Sequence, residues 1–394
     1  MATGTERRGL LRPVAAGLSL GAIFVAVVGI ALDAALTLGL SEAQTSAWIL
    51  VVYGLPSVLA FVLTARYREP LVLTGNIFIL IFVLLLGGEL SWAELVGATM
   101  VAGLIVLVLG FTGLTHRLAE ILPPQVVYGL LAGAVLGLFA DALTALGTAT
   151  LLVGTTLAAY FISRAVLGDR IPALLVALVA GILVAVVGAE TGAAPAPVLP
   201  QITLTLPAFT APALLTATPV LVVFIALQAN APSVVFLRDQ GYQAPEKVLS
   251  VVSGAGTIAG SVFGPMGVSL SLPATALVAG PDAGRSALRP VAAYVAAGVG
   301  VVVALASGFA AEMIGFIPPA LLDAIVGLAV LGILVQALKE VTSGPLVLGP
   351  VVAFGTAVSD IDLLGLGRFF WGIVFGLAVS LLLERKAPEH ADHG

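Results

Sequence analysis

Fourteen apolar runs, most of them near twenty residues long, follow one another from residue 13 to residue 384. A helix needs about 20 apolar residues to cross the hydrocarbon core of a bilayer. The runs lack the alternation of a barrel strand, so helices are the spanning element they predict. Composition agrees: 60% of the 394 residues are hydrophobic and only 9% are charged, where soluble domains carry about 25% charged residues. Such a chain could not cover a soluble core with polar surface, and it reads as an all-α integral membrane protein. It has no cysteine and three histidines, which excludes disulfides and thiolate metal sites. His116 lies in a polar loop, and His390 and His393 lie at the C-terminal end. No metal, cofactor or nucleic acid is expected, and an intramembrane enzyme would lack its nucleophile–base pair or its metal ligands. The N-terminal stretch MATGTERRGLLRP shows no signal-peptide cleavage pattern.

The fourteen expected segments are 13–38, 46–65, 73–88, 92–114, 119–141, 147–167, 171–189, 211–237, 246–263, 267–280, 287–309, 313–338, 344–360 and 366–384. The third and tenth are short for a full crossing. With the N-terminus in the cytoplasm, every Lys and Arg except Arg368 falls on the cytoplasmic side. That asymmetry obeys the positive-inside rule. An error of one segment would scramble it, so it supports both the count and an orientation with both termini cytoplasmic.

An internal repeat divides the chain. EILPPQVVYGLLAGAVLG (Glu120–Gly137) resembles GFIPPALLDAIVGLAVLG (Gly315–Gly332), at a constant offset that also maps Gly154 onto Gly349, Gly181 onto Gly376 and Pro70 onto Pro265. Each half then holds seven segments. An odd number inverts the second half relative to the first, giving a 7+7 inverted repeat of the kind found in secondary transporters.

The two short segments occupy corresponding places, as REPLVLTGNIFILIFVLLLGG (Arg68–Gly88) and FGPMGVSLSLPATALVAG (Phe263–Gly280). Each predicts a short extended piece followed by a half-helix beginning near mid-membrane. Helix N-termini carry free N–H groups and a partial positive charge, so two that converge would attract an anion. The candidates are Thr74, Gly75 and Asn76 on one side and Gly267, Ser269 and Ser271 on the other. The competing reading is two short helices with serine N-caps and no ligand. In helix 8, VVFIALQANAPSVVF (Val222–Phe236) sets Gln228 and Asn230 inside an apolar run. Buried amides need partners, so these two either bond neighbouring helices or contact substrate. Among intramembrane acids, Asp33 and Asp323 are candidates for proton coupling, with interface or capping roles equally open, and Asp141 lies at the outer end of helix 5.

These residues resemble the benzoate–proton symporter family. The resemblance is carried by LQANAPSVVFLRDQGYQAP (Leu227–Pro245), LLGLGRFFWGIVFGLAV (Leu363–Val379), YREPLVLTG (Tyr67–Gly75), GFTGLTHRLAEILP (Gly110–Pro123) and FGPMGVSLSLPATALVAGPDAG (Phe263–Gly284). It implies the inverted-repeat fold of the uracil and nucleobase–ascorbate transporters. The implied divisions are a core domain (1–118 and 205–310), a gate domain (119–190 and 311–385) and a cytoplasmic tail (386–394). Substrate would sit between segments 3 and 10, facing helix 8, with an apolar wall that includes Phe24. Where nucleobase carriers of that fold have glutamates, helix 8 here offers Gln228 and Asn230, which favours a ligand bringing its own negative charge. The expected function is secondary active transport of a small organic anion, such as benzoate, across the inner membrane. Proton coupling and a homodimer are implied by the resemblance. An anion channel, an uncoupled exchanger, a binding sensor and a nucleobase transporter stay open as alternatives.

Overall fold

The computed structural model describes residues 4–115, 117, 122–168, 171–343 and 345–384. His116, His390, His393 and the tail 386–394 lie outside these. In chain order the helices are α1 (Gly4–Thr37), α2 (Glu42–Tyr67), α3 (Ile77–Leu85), α4 (Trp92–Thr112), α5 (Pro124–Thr148), α6 (Thr150–Leu167) and α7 (Ala173–Val187). Then come α8 (Ala211–Asp239), α9 (Glu246–Ser261), α10 (Leu272–Ala279), α11 (Pro290–Leu305), α12 (Ser307–Phe316), α13 (Pro319–Ser343), α14 (Leu348–Val358) and α15 (Arg368–Val379). Two strands, β1 (Leu73–Gly75) and β2 (Val268–Leu270), precede α3 and α10. Eight helices among the described residues are long and apolar enough to cross a membrane, and the protein is a multi-pass membrane protein.

Local sequence sets several of these boundaries. Ser41 with Gln44, and Ser91 with Glu94, form reciprocal capping boxes at the starts of α2 and α4. Gly113 ends α4 in the left-handed conformation. The repeat reappears in the elements at the offset read from the sequence: β1 starts at Leu73 and β2 at Val268, α5 at Pro124 and α13 at Pro319. Segments 3 and 10 are each a three-residue strand followed by a short helix, as expected. Segment 11 differs. It ends at Leu305, where the Ala306 N–H bonds back to Val302 and Val303. A separate helix, α12, follows and packs on α2 and α1. The linker 188–210 presses on this break, because a Cβ at Gly308 would lie 2.4 Å from the Val198 carbonyl oxygen. The expected domain boundary at 310/311 therefore falls inside one helix.

Packing sorts the helices. α4 packs on α9, and α11 on both α1 and α2; separately α5 packs on α13 and α14, α14 on α15, and α6 on α7. α1 also meets α13. Between the halves of the first set, β1 and β2 pair antiparallel in the register Leu73↔Leu270, Thr74↔Ser269 and Gly75↔Val268. Thr74 and Ser269 are themselves repeat equivalents, so the pairing is centred on matching positions and the matching strands run in opposite directions.

A two-stranded ribbon is marginal alone, and every backbone polar group buried in a membrane protein needs a partner. Here side chains complete the ribbon. Thr257 Oγ1 accepts from the Val268 N–H at 2.9 Å, Asn230 Oδ1 accepts from the Leu270 N–H at 2.9 Å, and the Gly267 carbonyl accepts from the Asn76 N–H at 2.8 Å. Gly75 lets β1 lie against α2, since a Cβ there would sit 2.6 Å from the Val52 carbonyl oxygen.

Candidate functional site

A small cavity lies where β1, β2 and the starts of α3 and α10 meet α8. Thr74, Asn76, Ile77, Phe78, Gln228, Ser269, Ser271 and Leu272 line it. Its volume is about 10 Å³, the threshold for holding a water molecule. The site is closed in this conformation, and an organic ligand needs the surrounding helices to part.

The sequence predicts free N–H groups at both half-helix starts. The two starts in fact differ. Asn76 caps α3: its Oδ1 accepts from the N–H groups of Phe78 and Ile79 at 3.0 and 3.3 Å. Its Nδ2 donates to the Phe224 carbonyl at 3.2 Å and to Ser269 Oγ at 3.0 Å. A carboxamide thus already fills the place an anion would take at α3. Ser271, the repeat equivalent of Asn76, is the N-cap of α10 and makes no side-chain capping bond. The positive end of α10 faces the cavity uncapped.

The two amides of α8 also separate. Residues Phe224–Asn230 form a π-helical turn, a feature frequent at functional sites. Asn230 is spent on structure: besides holding Leu270, its Nδ2 donates to Ser253 Oγ at 3.0 Å, and it does not line the cavity. Gln228 lines the cavity, is 6% exposed, and its Oε1 has no hydrogen-bond partner. A buried carboxamide oxygen left unpaired costs about 1–3 kcal/mol, which a hydrogen-bond donor or a turn of the amide can recover.

Three other expected site residues lie outside the cavity lining. Gly75 is held by its contact with Val52. Gly267 extends the strand ladder through its carbonyl. Phe24 packs edge-on to Tyr53, with ring centroids 6.2 Å apart. The aromatic wall is instead Phe78, whose ring lies 5.7 Å from that of Phe224. The sequence carries one signal for Phe78, its place two residues after the Asn76 cap.

A second cavity of about 290 Å³ is lined by Asp33 and Thr37 of α1, Leu84 and Gly88 at and after the end of α3, Asp141 of α5, and Asp323 of α13. Both acids expected in proton coupling therefore face one space. The repeat links this cavity to the first. Asp33 and Gln228 are repeat equivalents, as are Tyr128 and Asp323, and the Tyr128 hydroxyl lies beside the Gln228 side chain. Near this space α15 meets the α3–α4 loop. Phe369 lies edge-on to Phe82 with centroids 5.2 Å apart, and Arg368 Nε is 3.5 Å from Glu89 Oε1. Burial raises the Glu89 carboxyl above its ordinary value; Arg368 pulls it down and Asp362 pushes it up.

The benzoate membrane transport protein family model matches residues 12–382. The chain belongs to the benzoate membrane transport protein family. It is 30% identical to the inner membrane protein YdcO of Escherichia coli (strain K12), over 90% of this chain and 92% of that one. It is 26% identical to the benzoate membrane transport protein of Acinetobacter baylyi (strain ATCC 33305 / BD413 / ADP1), over 86% of this chain and 87% of that one. Several solved structures share its fold, and two illustrate it. One is the transmembrane domain of the cyanobacterial bicarbonate transporter BicA, with TM-score 0.55 at 18% identity, covering 95% of this chain and 97% of that one. The other is the murine anion transporter Slc26a9 in its inward-facing state, with TM-score 0.56 at 15% identity, covering 95% of this chain and 68% of that one. Members of the benzoate membrane transport protein family are membrane transporters, not enzymes.

Proposed function

We propose that this protein is a secondary active transporter of a small organic anion, with an aromatic monocarboxylate such as benzoate as its first candidate. The observation that carries this is the pairing, in one cavity, of an uncapped half-helix N-terminus with the Gln228 carboxamide, whose Oε1 has no partner. The carboxylate would sit at the start of α10, within reach of Ser271, Ser269 and Thr74. The α10 dipole stabilises a negative charge there. Phe78 and Leu272 would wall the ring. Gln228 presents an amide, which can turn its N–H₂ toward an anion or its oxygen toward a donor. A nucleobase fits less well, because no carboxylate lines the cavity to accept its ring N–H groups.

In this reading the chain crosses the inner membrane fourteen times as a 7+7 inverted repeat with both termini cytoplasmic. The antiparallel pairing of equivalent strands supports the inversion. The helices α1–α4 and α8–α11 form a core, and α5–α7 and α13–α15 form a gate; the packing of α12 on α2 supports grouping it with the core. Alternating access comes from motion of the core against the gate. The Phe82–Phe369 and Glu89–Arg368 contacts part as substrate passes the outer side. Proton coupling is assigned to Asp33 and Asp323, which share a cavity across that same boundary. A homodimer is compatible with the architecture.

Uptake into proteoliposomes tests the reading, with aromatic carboxylates, nucleobases and inorganic anions at two pH values. Saturable benzoate uptake that rises with an inward proton gradient is expected. Uptake indifferent to the gradient would make the protein an uncoupled exchanger, linear single-channel currents would make it a channel, and uptake of nucleobases alone would overturn the anion assignment.

A further inference from the structure

Arg289 is the one charged side chain buried among the described residues, at 9% exposed. No carboxylate lies within ion-pair distance of it among those residues. A buried cation without a counter-ion is costly unless other groups replace its hydration. Here they are oxygens: Nη1 donates to the Ala279 carbonyl at 2.6 Å and to Gln240 Oε1 at 3.4 Å, and Nε donates to the Gly284 carbonyl at 2.9 Å. Ala279 is the last residue of α10. The guanidinium therefore sits on the negative end of the half-helix whose positive end faces the cavity uncapped. Among the described residues the basic side chains that donate hydrogen bonds are Arg238 and Arg289, and neither reaches a carbonyl at the end of α3. The repeat equivalent of Arg289 is an acid, Glu94, whose Oε1 accepts from Thr210 Oγ1 at 2.7 Å.

We propose that Arg289 is a positioning residue that sets the anion affinity of the site by neutralising the negative end of α10 and adding a net positive charge behind it. The inference rests on the anion reading above. An α-helix of eight residues is roughly 12 Å long. A unit charge at that distance, at an effective dielectric near 20, changes the binding of an anion by about tenfold. The same charge bonds α10 to the end of α8 through Gln240, so it fixes the helix as well as polarising it.

Two substitutions separate charge from architecture. Arg289→Gln removes the charge. Gln240→Glu keeps Arg289 and its hydrogen bonds and cancels the charge with a carboxylate 3.4 Å away, so it is expected to fold as the wild type does. Radiolabelled benzoate uptake is measured for both, and for Arg289→Lys, alongside thermal stability. Both neutralising variants are expected to raise the benzoate KM about tenfold with Vmax unchanged, whereas Arg289→Lys stays within about threefold of wild type. A Gln240→Glu protein with wild-type KM overturns the inference even if Arg289→Gln misfolds, because it shows that the charge is not felt at the site. A wild type that binds no benzoate or related anion removes the transport reading and this inference together. A wild type that binds, beside a Gln240→Glu variant that binds equally well, removes this inference alone.

Discussion

α3 and α10 hold equivalent places in the two halves, yet they are finished in opposite ways. α3 is closed at its start by Asn76, and beyond its end the chain meets Arg368 of another helix group through Glu89. α10 is open at its start and fastened at its end by Arg289 of its own group. The repeat supplies two half-helices that could each bind an anion. In one of them a side-chain carboxamide has taken the anion's place. On the proposed reading, the cavity therefore receives a single negative charge, not two.

Exchanging the caps gives the largest expected effect. Ser271→Asp places a carboxylate on the N–H groups of α10. It should cut benzoate uptake about a hundredfold or more, and should stabilise the fold by up to about 1 kcal/mol as a new cap. The matching change in the other half, Asn76→Asp, should act on stability in the opposite direction. It keeps an acceptor for Phe78 and Ile79 but loses the donors to Phe224 and Ser269, for a destabilisation of about 1–3 kcal/mol. Uptake beside melting curves for both variants decides the matter. Equal losses of uptake with no difference in stability would mean that the two starts are functionally alike.

The amides of α8 repeat the same contrast at smaller scale. Gln228→Leu removes an unpaired polar atom, so stability should hold or rise while benzoate KM climbs about tenfold, the value of roughly one hydrogen bond to a charged ligand. Asn230→Leu strips the Leu270 N–H and Ser253 Oγ of their partner and should cost about 2–4 kcal/mol. A chain in which Asn230→Leu left melting unchanged would refute the structural role given to that amide.

The repeat, the short segments and the gathering of polar residues where they meet α8 are legible in the sequence, because each is a matter of spacing and residue type. Proline pairs, interrupted apolar runs and lone amides leave marks in one dimension. The division of labour within the cluster does not. Gln228 and Asn230 are chemically alike and nearly adjacent; only the π-helical turn and the position of β2 decide that one holds the ribbon and the other faces the cavity. Asn76 and Ser271 are both N-caps in the structure, and what separates them is whether Phe224 and Ser269 stand where a carboxamide can reach. Resemblance alone puts Phe24 in the wall, and packing against Tyr53 takes it elsewhere. The place of Phe78 beside the Asn76 cap is too faint a signal, because an aromatic residue in an apolar helix carries no sign of which face it lies on.

The far end of α3 offers a subtler contrast with the fixed end of α10. Among the described residues, Glu89 is the only acid paired with Arg368 besides the exposed Asp360, 4.0 Å away. Its carboxyl lies above the usual carboxylate range. A raised value means that the closed arrangement holds the proton more tightly than an opened one, in which Glu89 meets solvent: closure is favoured below that value and weakens as pH rises through it. The contact between α15 and the α3–α4 loop should tighten on acidification, while the Arg289 anchor of α10, which pairs with no acid among the described residues, should not respond. The chain has no cysteine, so a single Gly88→Cys, at a position where a Cβ meets nothing within 4 Å, reports the contact directly. Its labelling by a thiol reagent, corrected for thiolate content, should slow about two- to threefold as pH falls through the raised Glu89 value. Adding Glu89→Gln should hold the rate at its acidic value. A rate indifferent to pH would leave the two ends of the half-helices equally fixed.

The smallest effect expected is at Phe24. It lies on α1, the helix that packs against α3, and its ring is 8% exposed. Its neighbours are Tyr53 of α2 and Gly300 of α11, where a Cβ would come 3.5 Å from the Phe24 ring. Phe24→Leu removes part of that packing and should cost less than about 1.5 kcal/mol, with benzoate KM within about twofold of wild type. Phe78→Leu, at the cavity wall, should instead raise KM several-fold at similar stability, because it thins the surface against which an aromatic ring would rest. Should Phe24→Leu alter KM more than Phe78→Leu does, the ligand would lie on the α1 side of the ribbon, and the uncapped start of α10 would not be its anchor.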